Sequence, residues 1–580
     1  MAFSLFSNRS YNYNAPTPLI NLAFLFLLCF FLTTHAHAHA HAHPSSFSSS
    51  TTPTPTPTPD NCQDFFSLAD PKSRCAFLQS HASCVPLGFV DYLQLFYCEL
   101  ADIRPLLGYL LFLLCLSVLF YLLGNTASHY FCSSLDNLSK VLKLSPAMAG
   151  VTLLSLGNGA PDLFSSVVSF MAGPGVGGVG LSSVLGGALF VTTVVVGVIG
   201  LRGSRTVSVS IDGKSFIRDV LLLILALCSV LTILVYKKIS IWGSLSFLSI
   251  YIAYVLLVCT SHFCTATTSQ LEAPLLPSST SQVQITVKEA DCIELLSNSA
   301  HRSRLEMFWH ILELPLSLPR RLTIPDITET RWHKPVAVLS VLFAPIILSV
   351  IWNSQYEETG STNVLTIYII GIVIGLLLCI IALKTTCESN PPKRAALPWL
   401  MGGFLMSVVW TYLVARELLA LLVSLGYMLG ISPSILGMTV LAWGNSLGDL
   451  ISNVAMASKG GRDGVQIAVS GCYAGPLFNT VVGLGLSFTV AAWREYPEAY
   501  EITEDSDSDS ALFETLFFLM LGLMWALLVL PRRAMKLDKL LGFGLLAIYL
   551  CFLFLRLCQV TPLFHLFHLG KTLGLSLVRN

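Results

Sequence analysis

Leu144 to Gly173 reads LSPAMAGVTLLSLGNGAPDLFSSVVSFMAG, and Ile431 to Gly460 reads ISPSILGMTVLAWGNSLGDLISNVAMASKG. At a constant offset of 287, with no gap, they match at 12 of 30 positions. The shared core is Gly-Asn-x-x-x-Asp-Leu-x-Ser: Gly157, Asn158, Asp162, Leu163 and Ser165 against Gly444, Asn445, Asp449, Leu450 and Ser452. Both copies sit in apolar sequence of helical length. A carboxylate at mid-membrane costs about 2.5–3.5 kcal/mol on insertion scales, so two in matched positions need a reason. The usual reason is an ion pathway at the interface of two internal repeats.

The chain around them has 580 residues, 54% hydrophobic and 11% charged, with a mean hydropathy of +0.71. Apolar runs of about 18 residues or more recur along it, which defines a polytopic all-α membrane protein with the lipid bilayer as its surroundings. The net charge is zero and indicates no nucleic-acid partner. Sixteen cysteines form no CxxC pair or Cys/His cluster, so neither a zinc nor a redox site is expected. No phosphate-binding GxxxxGK[ST] stretch occurs.

Residues 1–40 carry a 14-residue apolar run after Arg9, followed by small Ala residues, and read as a signal peptide. The His-Ala tract His35 to His43 and the Ser/Thr/Pro linker to Pro59 read as unstructured leader. Residues 41–104 are expected outside the cytoplasm. Their Cys62, Cys75, Cys84 and Cys98 are expected in two disulfides, with three connectivities open. Cys132, Cys292 and Cys387 are expected free. Five spans follow in 105–263: about 105–124, 146–171, 177–200, 216–236 and 240–263. A cytoplasmic loop (264–334) has a Leu-rich part from Leu305 expected along the membrane surface. Two extra spans occupy 335–383. Five more fill 397–560, at about 397–422, 433–458, 465–492, 512–530 and 540–557, before a tail at 561–580. Seven spans separate the starts of the two halves. An odd number makes the second half enter the membrane in the opposite sense, giving two inverted five-helix repeats.

Loop charge agrees with this topology. The predicted inside loops carry Lys140, Lys143, Arg202, Arg205, Lys214, Lys384, Lys393, Arg394, Lys459, Arg462, Arg532, Arg533, Lys536 and Lys539. The outside loops are acidic or nearly neutral, notably Glu495 to Ser510. Lys237 and Lys238 are the exception.

On a helix Asn158 and Asp162 share a face, extended by Ser155, Ser165, Ser166 and Ser169; Asn445, Asp449, Ser452 and Asn453 repeat the pattern. Pro161 with Gly157, Gly159, Gly444 and Gly448 predicts irregular backbone whose freed carbonyls line a cavity. Carboxylates, amide oxygens, the Ser446 hydroxyl and backbone carbonyls form the oxygen set that a hard cation such as Ca²⁺ takes. Neither motif contains His or Cys, which argues against a soft metal. Arg416 and Glu417 lie towards the outer end of their span and read as an anchor or structural ion pair, with a gating role as the alternative.

GNGAPD (Gly157 to Asp162) and GNSLGD (Gly444 to Asp449) resemble the paired motifs of the Ca²⁺/cation antiporter superfamily, and within it the cation/calcium exchanger family, in its plant group. SSVLGGALFVTTVVVG (Ser182 to Gly197) and SGCYAGPLFNTVVGLG (Ser470 to Gly485) are similar to the helices that complete each repeat. The resemblance implies the sodium/calcium exchanger-like fold, with the cation held between the motif helices. It places Asp162 and Asp449 at the two carboxylate-ligand positions, and Asn158 and Asn445 where relatives have a hydroxyl. Ser446 falls at a ligand serine whose partner position is Gly159. Asn479 falls at a polar position whose counterpart is Val191.

The expected activity is secondary antiport by alternating access: Ca²⁺, or another cation such as K⁺ or Mn²⁺, against Na⁺, K⁺ or H⁺ at one shared Asp/Asn site. No enzyme activity and no permanently bound cofactor are expected. The membrane is expected to be the plasma membrane or an endomembrane such as vacuole or ER. The alternative reading is an intramembrane aspartyl protease using Asp162 and Asp449 as a proton-sharing pair. Leu447 and Ser446 stand where such enzymes have their GxGD pattern, and the duplicated Asn has no role in that chemistry. A channel with acidic rings is a third class.

Overall fold

The computed structural model describes residues 68, 70–80, 88–100, 105–141, 155–172, 176–206, 211–271, 317–328, 332–356, 364–388, 391–392, 396–459, 461–502 and 506–560. The expected signal peptide, the His-Ala tract, Cys62, Cys84, Cys292, the Leu305 stretch and the tail lie outside these residues, as does the side chain of Asn158.

Among the described residues, twelve long helices make up the body. In the first half these are α1 (Pro105–Thr126, continued by Ala127–Phe131 and Cys132–Val141), α2 (Ser155–Met171), α3 (Gly177–Phe190, Val191–Val195 and Val196–Thr206), α4 (Gly213–Tyr236) and α5 (Ile241–Leu271). A hairpin follows, α6 (Lys334–Tyr356) and α7 (Val364–Thr385). The second half has α8 (Ala396–Leu429), α9 (Pro433–Leu436, Gly437–Leu441 and Ala442–Lys459), α10 (Gly461–Phe478, Asn479–Leu484 and Gly485–Arg494), α11 (Ser506–Arg532) and α12 (Lys539–Val560). Ten of them are long and apolar enough to cross a membrane. The other two are α2 and α9, whose Asn, Asp, Ser and Gly lower their hydropathy. α5 runs past the expected start of the loop, because no Pro or Gly stops it before Pro274.

Helix packing repeats itself when the two halves are exchanged. α2 packs on α10 as α9 packs on α3; α3 packs on α12 as α10 packs on α5; α4 packs on α10 as α11 packs on α3. α1 and α8, the first helix of each half, pack on one another. α3 is buried along all of Gly177–Phe190, and Gly180 and Gly186 let the backbones of α2 and α9 come close. A Cβ on Gly180 would meet Ser166 and Ser169 of α2 at 2.8–2.9 Å. The α6–α7 hairpin packs mainly on itself, with Gly371 and Gly375 against Ser349 and Leu342.

At the ends expected to lie outside, Lys238–Ile239 pairs antiparallel with Tyr500–Glu501. This accounts for the two basic residues that broke the charge rule. Lys237 pairs with Asp509, and Lys238 Nζ lies 2.6 Å from Glu501 Oε1, so the acidic outer loop neutralises them. In the segment expected outside the cytoplasm, helix Pro71–Ser80 is tied to the turn Leu95–Leu100 by a Cys75–Cys98 disulfide. That pairing satisfies part of the four-cysteine expectation. The segment docks on α8 through Glu417, which accepts from Phe89 N–H (2.7 Å) and Tyr92 OH (2.6 Å). The Arg416 guanidinium lies 5.2 Å from the Phe89 ring centroid. These contacts fit the anchoring reading of Arg416 and Glu417.

Candidate cation site

Asp162 lies in the middle of α2, fully enclosed at 5% exposure. Asn445 of α9 donates from Nδ2 to its Oδ1 at 2.9 Å, and Asn479 of α10 donates from Nδ2 to its Oδ2 at 2.7 Å. Both partners come from the opposite repeat. Asn445 Nδ2 also reaches Ser165 Oγ at 3.4 Å. The amide oxygens Asn445 Oδ1 and Asn479 Oδ1 and the hydroxyl Ser446 Oγ are buried, and none has a hydrogen-bond partner among the described residues. Ser446 closes the arrangement from α9: a Cβ on Gly187 of α3 would lie 3.3 Å from Ser446 Oγ and 3.6 Å from Asp162 Oδ2. Four helices, two per repeat, therefore converge on one carboxylate.

Asp449 is half-buried on α9, which packs against α2. No described residue donates a hydrogen bond to its carboxylate. The two half-sites thus differ. Among the described residues, Asp162 is clothed by amides and Asp449 has no such donor. Asn158 shares α2 with Asp162, one turn earlier.

The backbone differs from the expected broken helices. α2 is helical through Pro161, and Ala442–Lys459 is helical through Gly444 and Gly448. Ser165 Oγ donates to the Pro161 carbonyl at 2.7 Å, keeping the next turn bonded. The irregularities lie instead in π-helical turns, at Gly437–Leu441, Val191–Val195 and Asn479–Leu484. The last two are matched between repeats, and a π-turn is often found at a functional site. The motif glycines serve close approach. A Cβ on Gly159 would overlap Asn479 Oδ1, and one on Gly444 would overlap the Phe120 ring. Gly448 faces open space.

The hydroxyl stripe on α2 is largely structural beyond Ser165. Ser166 Oγ and Ser487 Oγ lie 2.9 Å apart. Ser169 Oγ donates to the Val176 carbonyl and accepts from Gly180 N–H at 2.9 Å, closing the α2–α3 turn. Gly187 was missed by motif reading, although Gly187 and Gly475 align in the two completing helices quoted above.

A model of the sodium/calcium exchanger protein family matches residues 112–260 and 399–558, the two stretches that supply these helices. The chain belongs to that family. It is 51% identical over 521 residues to cation/calcium exchanger 1 of Arabidopsis thaliana, covering 86% of this chain and 90% of that protein. It is 48% identical over 521 residues to cation/calcium exchanger 2 of the same plant, covering 86% and 91%. With the human mitochondrial sodium/calcium exchanger protein it shares 29% identity over 534 residues, covering 85% and 89%. This exchanger is a multi-pass membrane transporter and not an enzyme, which retires the aspartyl-protease alternative.

Proposed function

We propose that the protein exchanges Ca²⁺, or another cation such as K⁺ or Mn²⁺, against Na⁺, K⁺ or H⁺ by alternating access at one site. The proposed ligands are Asp162, Asp449, Asn158, Asn445, Ser446 and Asn479. The observation that carries this reading is the set of three buried oxygens without partners among the described residues, Asn445 Oδ1, Asn479 Oδ1 and Ser446 Oγ, around a buried carboxylate. An unsatisfied buried acceptor costs about 1–3 kcal/mol, so three in one place ask for a positive charge. All are hard oxygen donors, the kind that Ca²⁺ takes at about 2.3–2.6 Å.

Ion exchange follows from the amides having two faces. Without a cation, the Asn445 and Asn479 N–H groups balance the Asp162 charge. A cation takes over that balance, and rotation of each amide presents an oxygen to it. Reorienting with two uncompensated carboxylates at membrane depth is costly, about 2.5–3.5 kcal/mol each on insertion scales, so the carrier switches when loaded. Competing cations then exchange one for another because they need the same ligands.

The test is cation uptake into proteoliposomes under imposed Na⁺, K⁺ and pH gradients. Asp162→Asn and Asp449→Asn should each abolish uptake while leaving an inserted, folded protein, since each removes one unit of ligand charge. Wild-type uptake in both variants would sink the site.

A further inference from the structure

We infer that Arg320, in the loop between the two repeats, is a positioning residue that fixes α1 against the first motif helix and thereby sets the affinity of the cation site. The affinity part rests on the site proposed above; the positioning part does not.

The stretch 317–328 is a folded foot set into the helix bundle. Arg320 is 2% exposed. Its Nη1 donates to Asn125 Oδ1 at 2.6 Å and to Thr126 Oγ1 at 3.1 Å, and the guanidinium lies 5.9 Å from the Tyr130 ring centroid. Thr126 Oγ1 in turn donates to the Leu122 carbonyl at 2.6 Å, so its hydroxyl is used as both donor and acceptor. These α1 residues bracket the start of the π-helical turn Ala127–Phe131. The other side of the foot grips α8. Trp410 Nε1 donates to Thr323 Oγ1 at 2.8 Å, Ile324 is buried among Tyr130, Met406 and Trp410, and the absence of a side chain at Gly403 admits the Pro325 carbonyl. The foot therefore bridges the first helices of the two repeats.

From that turn the contact passes directly to the motif. Phe131 packs edge-on to Phe164, with centroids 6.0 Å apart, two residues beyond Asp162. Cys132 lies against Gly157: a Cβ there would be 2.9 Å from its Sγ. Further along α1, Phe120 covers Gly444. One helix thus leans on the Gly of both Gly-Asn pairs. Burying a guanidinium is costly unless its N–H groups are met, and here Nη1 is met by Asn125 and Thr126 of α1. A π-turn inserts one extra residue in a helix, so its register is a natural variable. Arg320 holds one setting of it.

The experiment uses the full chain in proteoliposomes, with Arg320→Ala, Arg320→Lys and Asn125→Ala beside wild type. Two quantities are read: the Ca²⁺ concentration for half-maximal uptake, and the rate at which Cys132 is alkylated, resolved by peptide mass spectrometry. Arg320→Ala should raise half-saturation about 5- to 10-fold, the lower end of typical coupling between sites, and should speed Cys132 alkylation. Maximal uptake per inserted molecule should fall far less. Arg320→Lys should recover part of both effects, because a lysine keeps the charge but not the fork. Asn125→Ala should move both readouts the same way, and decides the matter if Arg320→Ala fails to insert. Unchanged half-saturation and unchanged Cys132 alkylation in inserted variants would overturn the proposal and leave the foot a simple anchor. If Asp162→Asn transports normally, the site reading fails, and Cys132 alkylation still decides whether Arg320 holds α1.

Discussion

Gly159→Ala tests the geometry of the site at its tightest point. The matched residue in the second motif is Ser446, so a side chain at this position is compatible with the fold as such. In the first motif the space is taken: a Cβ would overlap Asn479 Oδ1 and lie 2.9 Å from Phe478 Cδ1. The pairing is compensatory across repeats. Gly159 faces Asn479; its mirror, Ser446, lies where α9 packs on the Val191–Val195 turn of α3, and Val191 is the counterpart of Asn479. Inserting the methyl has two outlets. The Asn479 amide can move and lose its bond to Asp162, at about 1.5–3 kcal/mol for a hydrogen bond to a charged group. Otherwise the helices move apart, at about 1–3 kcal/mol for overpacking. The cheaper route is taken, so the cost is about 1–3 kcal/mol, or a factor of roughly 5–150 in an equilibrium constant at 1.4 kcal/mol per tenfold. The assay is a double-mutant cycle with Asn479→Ala, read as thermal stability in detergent and, for the single variants, as half-saturating Ca²⁺ in uptake. In the Asn479→Ala background most of the clash is gone, so Gly159→Ala should cost less than about 1 kcal/mol and the cycle should show coupling of about 1–2 kcal/mol. Equal cost in both backgrounds would refute the reasoning, because Asn479 would then not be what fills the space.

Ser169→Ala should lower thermal stability by about 1 kcal/mol, since it removes the hydroxyl that accepts from buried Gly180 N–H and donates to the half-buried Val176 carbonyl, which keeps Val179 N–H as a donor, while leaving half-saturating Ca²⁺ unchanged. A shift in half-saturation with no loss of stability would place this serine in the pathway instead. Glu417→Ala leaves Tyr92 OH and Phe89 N–H without their acceptor, so amide exchange across residues 88–100 should speed up with membrane insertion intact; unchanged exchange would show that the clasp carries no weight. Without reductant, Cys75 and Cys98 should resist alkylation and Cys132 and Cys387 should react. Reduction should loosen the outer segment by about 3 kcal/mol, the chain-entropy value for a closed loop of this size.

The duplicated motif made the architecture legible, because a constant offset with matched carboxylates is a statement about two equivalent helices. Asp162, Asn445 and Ser446 were named from that pattern and Asn479 from the family resemblance, and the fold brings them together. What the pattern does not encode is which half touches which. Asn479 and Asp162 are 317 positions apart, and hydrophobic periodicity carries no information on a contact of that range. The same limit hid the role of Gly159, which is defined only by what lies across the interface. Pro161 was a misleading signal, since the loss of one backbone donor is tolerated where Ser165 and the neighbouring helices hold the turn. The central-loop foot was illegible for another reason. Ser-Leu-Pro-Arg-Arg-Leu reads as basic amphipathic surface, and only packing shows that one of its arginines is buried and the stretch wedged between α1 and α8.

The inequality of the two half-sites bears on how an exchanger of this kind works. Inverted repeats make the inward- and outward-facing states near mirror images, with each repeat taking the other's role. If the two carboxylates were equally solvated by donors, both states would bind a cation alike and the empty carrier would have little preference between them. Here Asp162 holds two amide N–H groups from the opposite repeat, while Asp449 accepts no hydrogen bond from a described residue, and the position that mirrors Asn479 is the apolar Val191. Residues set in mirror positions therefore differ in how much of a cation's work is already done before it arrives. In the site proposed above, an ion arriving at Asp162 would displace two amide donors, whereas at Asp449 no described residue donates, so the two carboxylates would reward an ion by different amounts. The sequence carries that difference between mirror positions as Asn479 against Val191 and Gly159 against Ser446.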